Sequence, residues 1–188
     1  MDPHQRMPAI FLAHGSPFQL VDEAWKGEWA GWARALPRPK AILIISAHWE
    51  ARPLTIGATA TVPLVYDFSG FPASFYAWKY PAPGAPALAE RVRALLGAQP
   101  IASAPTRGLD HGAWVPLVAM YPQHDVPVLQ VSLPTEEPRA LLAIGRALAP
   151  LRDEGALIVG SGFLTHNLRA VDLRPDAPVA PWAHKFDN

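Results

Sequence analysis

Residues 9–17 read AIFLAHGSP, an apolar run of strand character that breaks off at His14 and passes at once into Gly15, Ser16 and Pro17, residues that turn a chain. A histidine at the C-terminal lip of a buried strand is well placed to face a cleft. The pattern recurs at Lys40 to Trp49, KAILIISAHW, a β-branched run that delivers His48 at its end. A third version, Gly155 to Asn167, reads GALIVGSGFLTHN and carries His166 a few residues past the apolar run. If these runs lie side by side and parallel, His14, His48 and His166 come to one rim. In open α/β sheets that rim is where ligands bind.

The intervening chain supplies helices at the right places. Val21 to Leu36 puts Trp25, Trp29 and Trp32 at spacings of three and four, which predicts a helix with a core-facing aromatic stripe, ended before Pro37 and Pro39. Leu54 to Ala58 reads as a short strand. Pro63 to Pro83 packs seven aromatic residues among prolines with little periodicity, the composition of a binding loop. Ala85 to Leu96 is a predicted helix and Ile101 to Ala104 a brief strand. Asp110, His111 and Gly112 are expected to precede a helix running to about Tyr121. Val126 to Leu133 reads as a buried strand, Pro138 to Leu151 as a helix, and Pro181 to Asn188 as the opening turns of an amphipathic helix. Strand and helix alternate with short connections, so the expectation is a single three-layer α/β/α domain over residues 1–188 with a central, largely parallel sheet.

Composition narrows the chemistry. Half of the 188 residues are hydrophobic and 17% are charged, as in a chain with a full core. Sixteen basic residues balance sixteen acidic ones, which offers no electrostatic footprint for nucleic acid or an anionic membrane surface. No apolar run has the length of a membrane span and the opening MDPHQR does not start a signal peptide, so the expected location is cytoplasmic. The absence of cysteine removes disulfides, thiolate nucleophiles and sulfur-ligated metals. Any metal must be held by His, Asp or Glu.

Of the seven histidines, His4, His124 and His184 read as solvated residues, whereas His14, His48, His111 and His166 each sit where a strand or loop meets Gly, Ser or Asp. Imidazole is a ligand for Zn(II) and Fe(II), and such a site draws three or four donors from separate strand ends. His14 and His48 fit most directly, terminating strands expected to be neighbours. His111 and His166 would reach the rim from loops, to ligate or to act as acid and base. Asp110 would orient an imidazole or cap the following helix, and Asp67 would offer a carboxylate or anchor its aromatic loop. There is no Gly-x-Ser-x-Gly elbow, phosphate loop or dinucleotide fingerprint.

Taken together, LAHGSP, SAHW, YDFSGFP with YPAPGAP, LDHGAW and SGFLTHNL resemble, in that order, the class III extradiol ring-cleavage dioxygenases of the DOPA dioxygenase type. That family is related to the B subunit of the protocatechuate ring-opening enzymes. The resemblance runs from about Met7 to the end of the chain. It implies a non-haem Fe(II) site, with Zn(II) in some members, in which His14 and His48 are ligands and His166 is a ligand or the acid/base. It also implies that His111 lines the substrate pocket, with Ser16, Asp67 and Phe68 on the substrate side and the loop from Tyr66 to Tyr80 walling a planar ring. The substrates would be a catechol-type aromatic and O2. In the family a later segment supplies a further ligand, a histidine or a glutamate, whereas this sequence stops at Asn188. The expectation is therefore a chain lacking that segment, with His166 completing the site and uncovered core surface favouring self-association. Two other readings stay open on the residues alone: a zinc hydrolase using the same histidines, and a non-catalytic remnant that binds metal or an aromatic molecule.

Overall fold

The computed structural model describes residues 6–97, 99–163, 167, 172, 174 and 176–187. Among these residues six strands form one sheet in the order β1-β6-β2-β5-β3-β4: β1 (Ala9–Ala13), β2 (Ala41–Glu50), β3 (Leu54–Ile56), β4 (Ile101–Ser103), β5 (Val128–Leu133) and β6 (Ala156–Gly162). Every pairing is parallel except that of β3 with β5, as the sequence led one to expect.

The helices are α1 (Glu23–Ala35), α2 (Pro86–Leu96), α3 (His111–Met120), α4 (Pro138–Leu148) and α5 (Pro181–Asp187). Alternate residues of β2 sort the layers. Ile42 and Ile44 join a core with Trp29 of α1 and Trp114 and Leu117 of α3. Leu43 points the other way, into a core with Val92 of α2 and Leu148 of α4. The result is the three-layer α/β/α arrangement, with the period of two in the strands deciding which helix each residue meets. Among the described residues no helix is long and apolar enough to cross a membrane.

Three expectations need correction. The strands that carry His14 and His48 are not neighbours, because β6 lies between them. Strand β6 buries Leu157 and Val159 on one face and Ala156 on the other, so it belongs inside the sheet, while β1 has exposed positions that suit an edge. The tryptophan stripe of α1 is narrower than the spacing suggested: Trp29 is 4% exposed but Trp32 is 50% exposed. The packed line follows Trp25, Trp29, Ala33 and Leu36, steps of four, four and three, and Trp32 falls on its flank. Finally, His111 and Gly112 belong to the first turn of α3 and do not precede it. The cap is Asp110, whose carboxylate accepts from the Ala113 N–H.

Helix α3 is buried nearly all round, which places its N-terminal turn inside the molecule beneath the C-terminal ends of β1, β6 and β2. Pro116 lies within it. A proline there has no N–H to give to the carbonyl four residues back, that of Gly112.

Candidate functional site

His14 follows the last residue of β1 and prolongs its ladder, its backbone N–H donating to the Gly162 carbonyl at 3.2 Å. The ring is buried. His48 stands near the end of β2, within the stretch between Ile45 and Glu50 where its register with β5 shifts, and its side chain is about one-third exposed, at 32%. The Nε2 atoms of the two rings are 2.9 Å apart. Gly112 of α3 makes this possible, since a Cβ there would lie 3.0 Å from both His14 Cε1 and His48 Cδ2 and would collide with Ser46 Oγ.

His111 comes in from α3, its ring centroid 4.0 Å from that of His48 and 5.3 Å from that of His14. One ring nitrogen from each of His14, His48 and His111 lies within 4.8 Å of the other two, a donor set able to hold a metal ion. The separation of His14 and His48 supports that reading: two metal–nitrogen bonds of about 2.1 Å set at a right angle hold their donors roughly 3 Å apart.

Each ring is held from behind. His14 Nδ1 is 2.9 Å from Ser161 Oγ of β6, and that hydroxyl donates to the Gly112 carbonyl. Asp67, in the aromatic loop, turns one oxygen to His111, accepting from ring Nδ1 at 2.7 Å and from the backbone N–H at 3.0 Å. Its other oxygen stands 3.7 Å from His48 Nδ1. Burial pushes the Asp67 carboxyl up, but the side-chain and backbone hydrogen bonds from His111 outweigh it and hold it below the usual carboxylate value. Asp67 is thus an anchor of imidazoles, where the sequence left it as ligand, loop anchor or substrate contact.

Asp110 does not orient a histidine side chain. It is fully buried, caps α3, and accepts from Gln130 Nε2 of β5, while its own N–H donates to Gln130 Oε1. Sequence reasoning gave no role to Gln130, Ser161, Gly112 or Pro116, although Gly112 and Ser161 stand in the motifs LDHGAW and SGFLTHNL. The one visible signal was polarity out of place, a Gln and a Ser within runs otherwise apolar.

These groups open onto a cleft of about 870 Å³. Its walls include Ser16, Phe68, Phe71 and Phe163 beside the three histidines and Asp67. Ser16 caps a short 3-10 helix, Pro17–Leu20, and Phe68 meets the His111 ring edge-on with centroids 5.7 Å apart. Phe71 continues that wall to Phe18 and Phe75. The long irregular aromatic loop is therefore at the site, as its composition suggested. His166, expected as a ligand, lies outside the described residues, as does His4. His184 is exposed, and His124 is half-buried with its ring against Tyr80.

Residues 8–188 match the family model described as the catalytic LigB subunit of aromatic ring-opening dioxygenase. The 4,5-DOPA dioxygenase extradiol of Escherichia coli (strain K12) is 44% identical over 186 residues, covering 97% of this chain and 69% of that protein. The protein of the same name from Beta vulgaris is also 44% identical, over 187 residues, covering 95% of this chain and 69% of its own length. A crystal structure of an uncharacterized Escherichia coli K12 protein superposes with a TM-score of 0.80 at 41% identity, over 97% of this chain and 70% of that one.

Proposed function

The chain belongs to the family of the catalytic LigB subunit of aromatic ring-opening dioxygenases, and from that premise we propose that it opens a catechol-type ring with O2 at a divalent metal held by His14 and His48. The observation that carries the proposal is the 2.9 Å approach of the two Nε2 atoms, each ring backed by a polar partner, at the floor of an aromatic cleft. We assign the metal as Fe(II), with Zn(II) able to occupy the same donors, and give His166, for which the resemblance implies a role as ligand or acid/base, the place of the ligand that completes the set. Such a metal, when bound, would supply a common binding point for the catechol and O2, so that their encounter would become intramolecular.

The residues of the chain do the rest. Phe68 and Phe71 receive the flat ring by its face and edge and keep water from it. Asp67 holds a proton on His111 Nδ1, which leaves Nε2 with a lone pair to accept the proton of the second phenol oxygen. The carboxylate then stabilises the imidazolium that results, and His111 can return the proton as the ring opens beside the diol to a semialdehyde acid. Ser16 and Asp67 border the substrate side of the cleft.

The test is anaerobic loading with Fe(II), followed by a panel of catechols and air. Uptake of O2 and a coloured ring-opened product, both absent from H14A and H48A, are expected. No uptake with any catechol by metal-loaded protein would overturn the proposal.

A further inference from the structure

A serine hydroxyl has one hydrogen, and in Ser161 that hydrogen is committed to the Gly112 carbonyl. Toward His14 Nδ1, 2.9 Å away, Ser161 Oγ is then able only to accept. It follows that His14 carries its proton on Nδ1 and presents Nε2 as a lone pair, on the side where His48 lies. The Gly112 carbonyl is available to Ser161 because residue 116, its ordinary partner in an α-helix, is a proline and has no N–H.

We propose that Pro116 is a positioning residue: by leaving the Gly112 carbonyl open it fixes the direction of the Ser161 hydroxyl, and through it the tautomer of His14. A proline inside a buried helix otherwise works against the fold, since alanine in its place favours the helix. Here the missing hydrogen bond is used. Four groups from three elements, Pro116 and Gly112 of α3, Ser161 of β6 and His14 beyond β1, form one chain whose polarity is set at the proline. The consequence for metal binding rests on His14 being a ligand. The tautomer does not rest on it.

The experiment uses P116A, S161A and the double variant P116A/S161A of the metal-free protein. Long-range proton–nitrogen correlation spectra of ring-labelled histidine report which nitrogen of His14 is protonated, and Zn(II) titration reports affinity. Wild-type His14 is expected as the Nδ1–H form. In P116A the new N–H competes for the Gly112 carbonyl, the Ser161 hydroxyl turns to donate to His14, and the proton moves to Nε2, with Zn(II) affinity down by about 10–100-fold. S161A orphans the Gly112 carbonyl and lowers stability. The double variant is expected to regain that stability, because the backbone N–H that alanine brings to position 116 bonds the Gly112 carbonyl, while its Zn(II) affinity stays low, no worse than the poorer single variant. His14 remaining Nδ1–H in P116A, or stability and affinity recovering together in the double variant, would overturn the inference. Wild-type protein that takes up no Zn(II), with the His14 proton still moving from Nδ1 to Nε2 in P116A, would instead overturn the ligand reading of His14 and leave this one standing.

Discussion

His14 Nε2 and His48 Nε2 face each other across 2.9 Å, although their residues extend from strands that β6 separates. Two imidazole nitrogens approach so closely only with a proton or a cation between them, because paired lone pairs repel. With Nδ1 of His14 donating to Ser161, as inferred above, the contact is held by a proton on His48, which under the proposed function a divalent ion would replace. Zn(II) or Co(II) at a hundredfold excess over its Kd should therefore stabilise the fold by about 2.7 kcal/mol. For a chain of this size that is a Tm rise of roughly 5–10 °C. H48A, whose residue is at the cleft surface, should fold normally and lose the rise, which differential scanning calorimetry with and without metal will show.

Asp67 accepts from His111 and stands beside His48, so a single carboxylate backs two of the three clustered rings. D67N keeps the shape but removes the charge that stabilises a His111 imidazolium. Metal affinity and kcat/KM should each fall by roughly 10–100-fold, with the far-ultraviolet circular dichroism unchanged. A D67N protein with wild-type turnover would show that the loop carboxylate serves only to anchor the loop.

The sequence made the layers legible because strand and helix periods are local. Ala9–Ala13, Ala41–Glu50 and Ala156–Gly162 could be read from their apolar runs, and His14 and His48 from the turn residues beside them. What could not be read was the order of the strands: the last one in sequence inserts between the first two, a long-range outcome that no short window encodes. The supports of the site were hidden for the same reason. Ser161 is 147 residues from His14, and Asp67 is 44 residues from His111. Trp32 misled because helical spacing alone does not reveal how wide a face the neighbouring helix covers.

Gly112 tests the packing of the site independently of its charges. Alanine favours a helix interior over glycine by about 1 kcal/mol, so on propensity alone G112A should stabilise α3. Its methyl group would instead meet Ser46 Oγ and press on the buried ring of His14 and on that of His48. G112A is expected to lose about 1–3 kcal/mol in urea unfolding and most of its metal affinity. An unchanged Zn(II) titration would show that the rings are not fixed by α3.

The buried pair Asp110 and Gln130 ties the start of α3 to β5 by two hydrogen bonds. D110A removes the helix cap and leaves the Gln130 amide without its acceptor. Each loss is worth about 1–2 kcal/mol, so chemical denaturation should show roughly 2–4 kcal/mol of destabilisation. D110N, which still offers an oxygen to Ala113, should recover about half of that.

On the far side of the molecule, Arg91 of α2 makes two hydrogen bonds to the Glu154 carboxylate, at 2.9 and 2.7 Å, ahead of β6. The hydrogen bonds from Arg91 hold the Glu154 carboxyl below its usual value, with burial opposing them weakly. A carboxyl whose folded pKa lies below its unfolded one binds protons less readily when folded, so its stabilising effect is fully present above the ordinary glutamate pKa, about 4.3, and fades as pH falls through the folded value. E154Q and wild type should accordingly differ in urea midpoint at pH 7 and converge as the pH approaches 3. Both side chains are 40% or more exposed, so the difference at pH 7 should be small and should shrink further in 0.5 M salt. A gap that persists unchanged at low pH would mean that the glutamate contributes through packing of its stem and not through its charge.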